Sequence, residues 1–108
     1  MREIKIISDR RAVTVAGTEE RLNEETNKQK AKVISVTIRA NTGNANVIYI
    51  VGPEERTTTT TDGYILAPGE TLTLDVSKFI DCYLDLQHIW IDALVSGDGV
   101  GYVAFEVL

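Results

Sequence analysis

Cys82 and His88 are the only cysteine and the only histidine in the chain, so they form its one possible thiol–imidazole pair. A thiol beside an imidazole can ionise and act as a nucleophile, but only within hydrogen-bond reach. If residues 81–91 formed one strand, the even offset would put both side chains on one face, about 20 Å apart at ~3.3 Å per residue. That is too far for proton transfer. The residues read instead as a small buried thiol and a half-exposed imidazole. A single cysteine excludes an internal disulfide, and a single histidine excludes a histidine-rich metal site.

Asp75, Asp81, Asp85, Asp92 and Asp98 invite a calcium or paired-carboxylate reading. Their spacing lacks the alternating oxygen ligands and closing glutamate of a calcium loop. Asp75 and Asp92 fall at polar positions of amphipathic runs, and Asp98-Gly99 suits a turn. Ser96-Gly97-Asp98-Gly99-Val100-Gly101 has the glycines of a phosphate loop. It lacks the closing Lys-Ser/Thr and precedes a strand, not a helix. Lys28, Lys30 and Lys32, and then Arg10 and Arg11, cluster without interleaved aromatics, so they read as solvent-facing charge and not as a single-strand nucleic-acid platform.

Two aromatics carry more weight. Trp90 lies opposite Ile89 and Ile91 in an alternating run, beside His88 and Asp92. Either its strand is buried on both faces or Trp90 anchors a subunit or ligand contact, as amphipathic aromatics often do. Tyr49 sits in Asn46-Val47-Ile48-Tyr49-Ile50-Val51, which is apolar on both faces. That pattern fits a central strand or one covered by a neighbouring subunit.

The elements that must position these residues are strands. Val, Ile and Thr supply about a third of the chain, and β-branched side chains suit a pleated surface. Alternation places strands at 33–39 (Ile34, Val36 and Ile38 on one face), 71–76 (Leu72, Leu74, Val76), 88–94 (Ile89, Ile91, Ala93) and 101–107 (Val103, Phe105, Val107 against Tyr102, Ala104, Glu106). Between them stand Asn41-Thr42-Gly43-Asn44, placed as a hairpin loop, Asp62-Gly63, the type II signature Ala67-Pro68-Gly69-Glu70, and Ser96-Gly97-Asp98-Gly99. Residues 3–7, with Ile4, Ile6 and Ile7, and 11–16, with Val13 and Val15, are two further strands. They either pair as a hairpin through Ser8-Asp9-Arg10 or form an arm, residues 1–16, that adds to another subunit. Residues 18–32 are polar, with Leu22 the one large apolar side chain, and read as an exposed loop; Thr57 to Thr61 read as a hairpin tip or loop. The expected fold is all-β: an antiparallel, jelly-roll-like β-sandwich, with residues 17–108 as one domain.

Charge narrows the function classes. Sixteen acids against eleven bases give a net −5, a field that attracts neither nucleic acid nor an anionic membrane. No run approaches the length of a membrane-spanning helix, and the Met-Arg-Glu-Ile-Lys start lacks the apolar core of a cleaved signal peptide.

Three segments together carry a resemblance: Val36-Thr37-Ile38-Arg39-Ala40-Asn41 followed by Asn46-Val47-Ile48-Tyr49-Ile50-Val51-Gly52; Gly63-Tyr64-Ile65-Leu66-Ala67-Pro68-Gly69-Glu70-Thr71-Leu72-Thr73-Leu74-Asp75; and Ile89-Trp90-Ile91-Asp92-Ala93-Leu94 with Gly97-Asp98-Gly99-Val100. Over residues 33–105 the chain resembles small β-sandwich structural proteins of tailed bacteriophages, of the head decoration (cement) or auxiliary virion kind. The resemblance implies a non-enzymatic virion protein made in the host cytoplasm, with no catalytic residue, cofactor or metal. It further implies a homotrimer on the capsid surface that binds the phage major capsid protein and braces the shell, many weak contacts acting together. Ile4, Ile6, Val47, Tyr49, Val51 and Trp90 are the interface candidates. The alternatives are a carbohydrate- or receptor-binding module of a phage tail and a small cupin-like enzyme, the latter disfavoured by the single histidine.

Overall fold

The computed structural model describes residues 3–23, 32–52 and 63–107. Among these residues nine strands form in chain order: β1 (Ile4–Ala12), β2 (Glu20–Arg21), β3 (Lys32–Ala40), β4 (Ile48–Val51), β5 (Tyr64–Leu66), β6 (Thr71–Asp75), β7 (Leu84–Asp85), β8 (Trp90–Ala93) and β9 (Gly99–Val107). One turn of 3₁₀-helix, Leu86–His88, precedes β8. The strands pair antiparallel: β1 with β9, β2 with β8, β3 with β6, and β4 with β5. These pairs form one long ribbon that rolls up. Rolling adds the contacts β9–β3 and β8–β4. It leaves a five-stranded sheet ordered β1-β9-β3-β6, with β7 on β3, and a four-stranded sheet ordered β2-β8-β4-β5. That double-sheet order is the jelly roll, an antiparallel β-sandwich, as the strand pattern predicts.

The core lies between the sheets. Val36, Ile38 and Ala40 of β3 and Val100, Tyr102 and Ala104 of β9 face Ile48 and Ile50 of β4 and Ile91 and Ala93 of β8. Leu72 and Leu74 of β6 pack against its edge, as their alternation requires.

Three details depart from the expected pattern, and a fourth settles a parity that the pattern leaves open. β1 is one uninterrupted strand, paired from Ile4↔Val107 to Ala12↔Gly99. Ser8, Asp9 and Arg10 therefore run through it and make no turn, because β9 supplies a ladder along the whole length. This pairing places the first strand on the chain's own sheet, at its edge. In β3, Val33 pairs with Glu106 and Ser35 with Phe105, so Ile34 is the extra residue of a bulge. The bulge buries Val33 and leaves Ile34 only half-buried. The Asn41–Asn44 turn joins strands of different sheets, as do Ala67–Glu70 and Ser96–Gly99, so none closes a hairpin. The type II geometry of Ala67–Glu70 does form: Gly69 has φ +87° and the Glu70 N–H donates to the Ala67 carbonyl at 2.9 Å. Finally, β9 buries Tyr102 and Ala104 and turns Val103 and Phe105 outward. The threonine run 57–61, Asp62 and residues 24–31 of the polar segment lie outside the described residues.

Candidate functional site

The stretch from Cys82 to His88 is not one strand. Cys82 is exposed before β7, and His88 ends the 3₁₀ turn. His88 lies near Asp85, Nε2 to Oδ2 at 3.9 Å, while Asp85 Oδ1 accepts the Gln87 N–H at 2.9 Å. The histidine thus belongs to a capped turn.

The aspartates do not converge either. Asp75 accepts the Ser77 N–H at 2.7 Å. Its carboxyl titrates below the usual range, chiefly through the Ser77 side-chain hydrogen bond, then the Ser77 amide, with Lys78 adding to both. Asp81 takes a left-handed φ of 58° on the surface. Asp92 is buried on the outer face of β8, where Oδ1 accepts the N–H groups of Gly17 at 3.0 Å and Ala93 at 2.8 Å. Asp98 is buried too, accepting from Ala45 and Asn46 at 3.0 and 2.9 Å. The carboxylates of Asp75, Asp85, Asp92 and Asp98 each organise a turn or a loop. Among the described residues no group of three histidine, cysteine or acidic side chains is placed to hold a metal ion.

Tyr49 and Val51 are 7 % exposed within the single chain, and β4 is a central strand between β8 and β5. All four residues of β4 are buried, on the outer face as well as the inner one. Tyr49 pairs with Asp92 and Val51 with Trp90 on the outer side of the smaller sheet. Trp90 is half-buried, and the Arg21 guanidinium lies 5.2 Å from its ring centroid. Val47, just before β4, is half-buried. Four of the six interface candidates are therefore covered, wholly or in part, by their own chain.

Ile4 and Ile6 are different. The register of the larger sheet lines its outer face in rows across the strands. Ile6 stands opposite Phe105, which stands opposite Ser35; Ser8 stands opposite Val103, which stands opposite Thr37. Ile4, Ile6, Val103 and Phe105 are 55, 66, 37 and 40 % exposed. They form an apolar patch across β1 and β9, next to the paired hydroxyls of Thr37 and Thr73, Oγ1 to Oγ1 at 3.1 Å.

The same face changes character toward its other end. Arg10 of β1 and Arg39 of β3 are both opposite Gly101 of β9. Together with the turn residues Asn41, Thr42 and Gly43 they line a cleft of about 350 Å³. Arg11, its neighbour, points to the opposite face. Its guanidinium Nη2 meets Glu20 Oε1 at 2.6 Å and its Nε donates to the Arg21 carbonyl at 3.0 Å. Lys32 lies 4.7 Å from the Tyr83 ring centroid; Lys28 and Lys30 are outside the described residues. The basic residues thus split into separate roles.

Val103, Phe105, Arg39 and Gly101 are site residues that periodicity does not reveal. Alternation shows which residues share a face of one strand, and pairing register alone brings residues of β1, β9 and β3 into one row. Searched against known proteins, the chain matches no family model, no curated protein and no solved structure.

Proposed function

We propose that the protein is a non-enzymatic structural module that works by surface contact, in the manner of the phage head decoration proteins its sequence resembles. The observation that carries this reading is the apolar patch of Ile4, Ile6, Val103 and Phe105 on an open sheet face. Large apolar side chains in contiguous exposed rows mark interaction surfaces. The face is built on three nine-residue strands and held by a β9 paired on both sides, so it offers an ordered area at little ordering cost on binding. The partners of this reading are other copies of the chain, assembled as a trimer, and the major capsid protein of a tailed phage, contacted at the virion surface. The contact surface of this reading is the outer face of the larger sheet, where Ile4 and Ile6 stand.

Light scattering on the native chain and on Ile6→Asp and Phe105→Asp tests this. Both side chains point outward, so circular dichroism of the variants stays native. A trimeric native mass that falls to monomer in either variant supports the reading, as does co-sedimentation of the native chain alone with heads of the encoding phage. A native chain that stays monomeric and ignores heads overturns it, and a signal on a glycan array would then favour a carbohydrate-binding module.

A further inference from the structure

We infer that the cleft between Arg10 and Arg39 is a binding site for a single phosphate-type oxyanion. The site is distinct from the apolar patch and does not depend on it. Its floor is Gly101, directly opposite both arginines in the sheet register. Their α-carbons lie two strand spacings apart, about 10 Å, with no side chain between them. Two guanidinium forks can close over that gap onto one anion.

Neither side chain is already spent. Arg10 and Arg39 are exposed, and neither guanidinium has an ion-pair partner among the described residues. The neighbouring carboxylates bond main-chain amides and not these guanidiniums: Asp9 accepts the Arg10 N–H at 2.7 Å, and Glu70 accepts the Ala67 N–H at 2.7 Å. The Asn41–Asn44 turn, closed by the Asn44 N–H on the Asn41 carbonyl at 3.1 Å, adds Thr42 and Gly43 to the cleft lining. Their amides make no hydrogen bond among the described residues.

The donor set selects the ligand class. A carboxylate has two oxygens in one plane and is satisfied by one guanidinium fork. A tetrahedral phosphate or sulfate presents oxygens in several directions and serves two forks and turn amides together. The net charge of −5 opposes a long polyanion, so the site suits one small group.

The test is an amide NMR titration of the whole chain with inorganic phosphate, sulfate, a sugar phosphate and acetate. Shifts centred on Thr42, Gly43 and Gly101 are expected, with a phosphate Kd of about 1 mM. Arg10→Gln and Arg39→Gln are each expected to weaken it about tenfold. Gly101→Val keeps both charges but fills the floor. The nearest atom to a β-carbon there is 3.9 Å away, so the strand accepts it while binding is lost. Tighter binding of sugar phosphate points to a phosphorylated ligand, and tighter binding of the inorganic ion to free phosphate; both support the site. No shifts, acetate binding as tightly as phosphate, or native affinity in the three variants overturns it.

Discussion

Asn44 grips Gly99 by both ends of its main chain: Nδ2 donates to the Gly99 carbonyl and Oδ1 accepts the Gly99 N–H, each at 2.9 Å. The Asn41 N–H reaches the same carbonyl at 3.0 Å, and Asp98 returns two bonds to Ala45 and Asn46. The loop from β3 to β4 is thereby locked to the loop from β8 to β9, both of which pass from one sheet to the other.

Asn44→Ala removes a donor and an acceptor from a buried main-chain segment and is expected to cost about 2–3 kcal/mol. Asn44→Asp keeps the acceptor, loses the donor and sets a second negative charge by Asp98, so it does not rescue. Urea unfolding monitored by Trp90 fluorescence measures both; native stability in Asn44→Ala would remove the lock.

Gly99 also faces β1. A β-carbon there would lie 2.3 Å from the Arg11 carbonyl oxygen and 2.7 Å from the Ala12 α-carbon, both main-chain atoms that cannot swing aside. Gly99→Ala is therefore expected to part β1 from β9 at that end and to cost about 3 kcal/mol or more. Hydrogen exchange should show lost protection at Ala12 and Gly101, with the far ends of the strands, near Ile6, retaining theirs.

Glu20 ties the two sheets at their shared edge. It accepts from Arg11 at 2.6 Å and from the Thr14 N–H at 2.7 Å, and β1 and β2 are both edge strands. With both side chains mostly covered, Glu20→Ala is expected to lose about 1.5–3 kcal/mol. Glu20→Gln, which keeps an acceptor, loses less. A double-mutant cycle with Arg11→Ala isolates the pair, and a coupling energy of zero would refute the tie.

β9 makes opposite demands at adjacent positions. Ala104 is buried against the core and Phe105 stands outside. Ala104→Phe overpacks the interior and is expected to cost about 3 kcal/mol. Phe105→Ala should change stability by under about 1 kcal/mol, the scale of one cross-strand pair. Equal losses would mean that the strand parity is wrong.

Asp75 supplies a pH dependence of known sign. Its folded-state carboxyl titrates below the usual range because the ionised form accepts from Ser77. The associated stability is present above the ordinary aspartate pKa and is lost as pH falls through the lowered folded value. Ser77→Ala removes the first cause and should return the Asp75 titration, followed by carbon-detected NMR, toward the ordinary value. An unchanged titration would exclude the hydroxyl.

The aliphatic alternation of β3, β6 and β8, the turn at Pro68-Gly69 and the all-β character are legible in the chain itself, because a strand's period of two and a glycine's positive φ are local demands. Even there, a bulge moved burial from Ile34 to Val33. The alternation of β9 reads equally well in either parity, since Val103 and Phe105 are larger than Ala104, and the larger pair is the one left outside.

Local spacing located β3, β4, β6, β8 and β9, but it split β1 in two and gave no sign of the short strands β2, β5 and β7. Tertiary structure decided which strands pair, that β4 lies between β8 and β5, and that Arg10, Gly101 and Arg39 share a row. The reason is that register couples residues far apart in the chain through main-chain hydrogen bonds, and those bonds carry no side-chain signature. A face built from three strands exists only once the ribbon has rolled up.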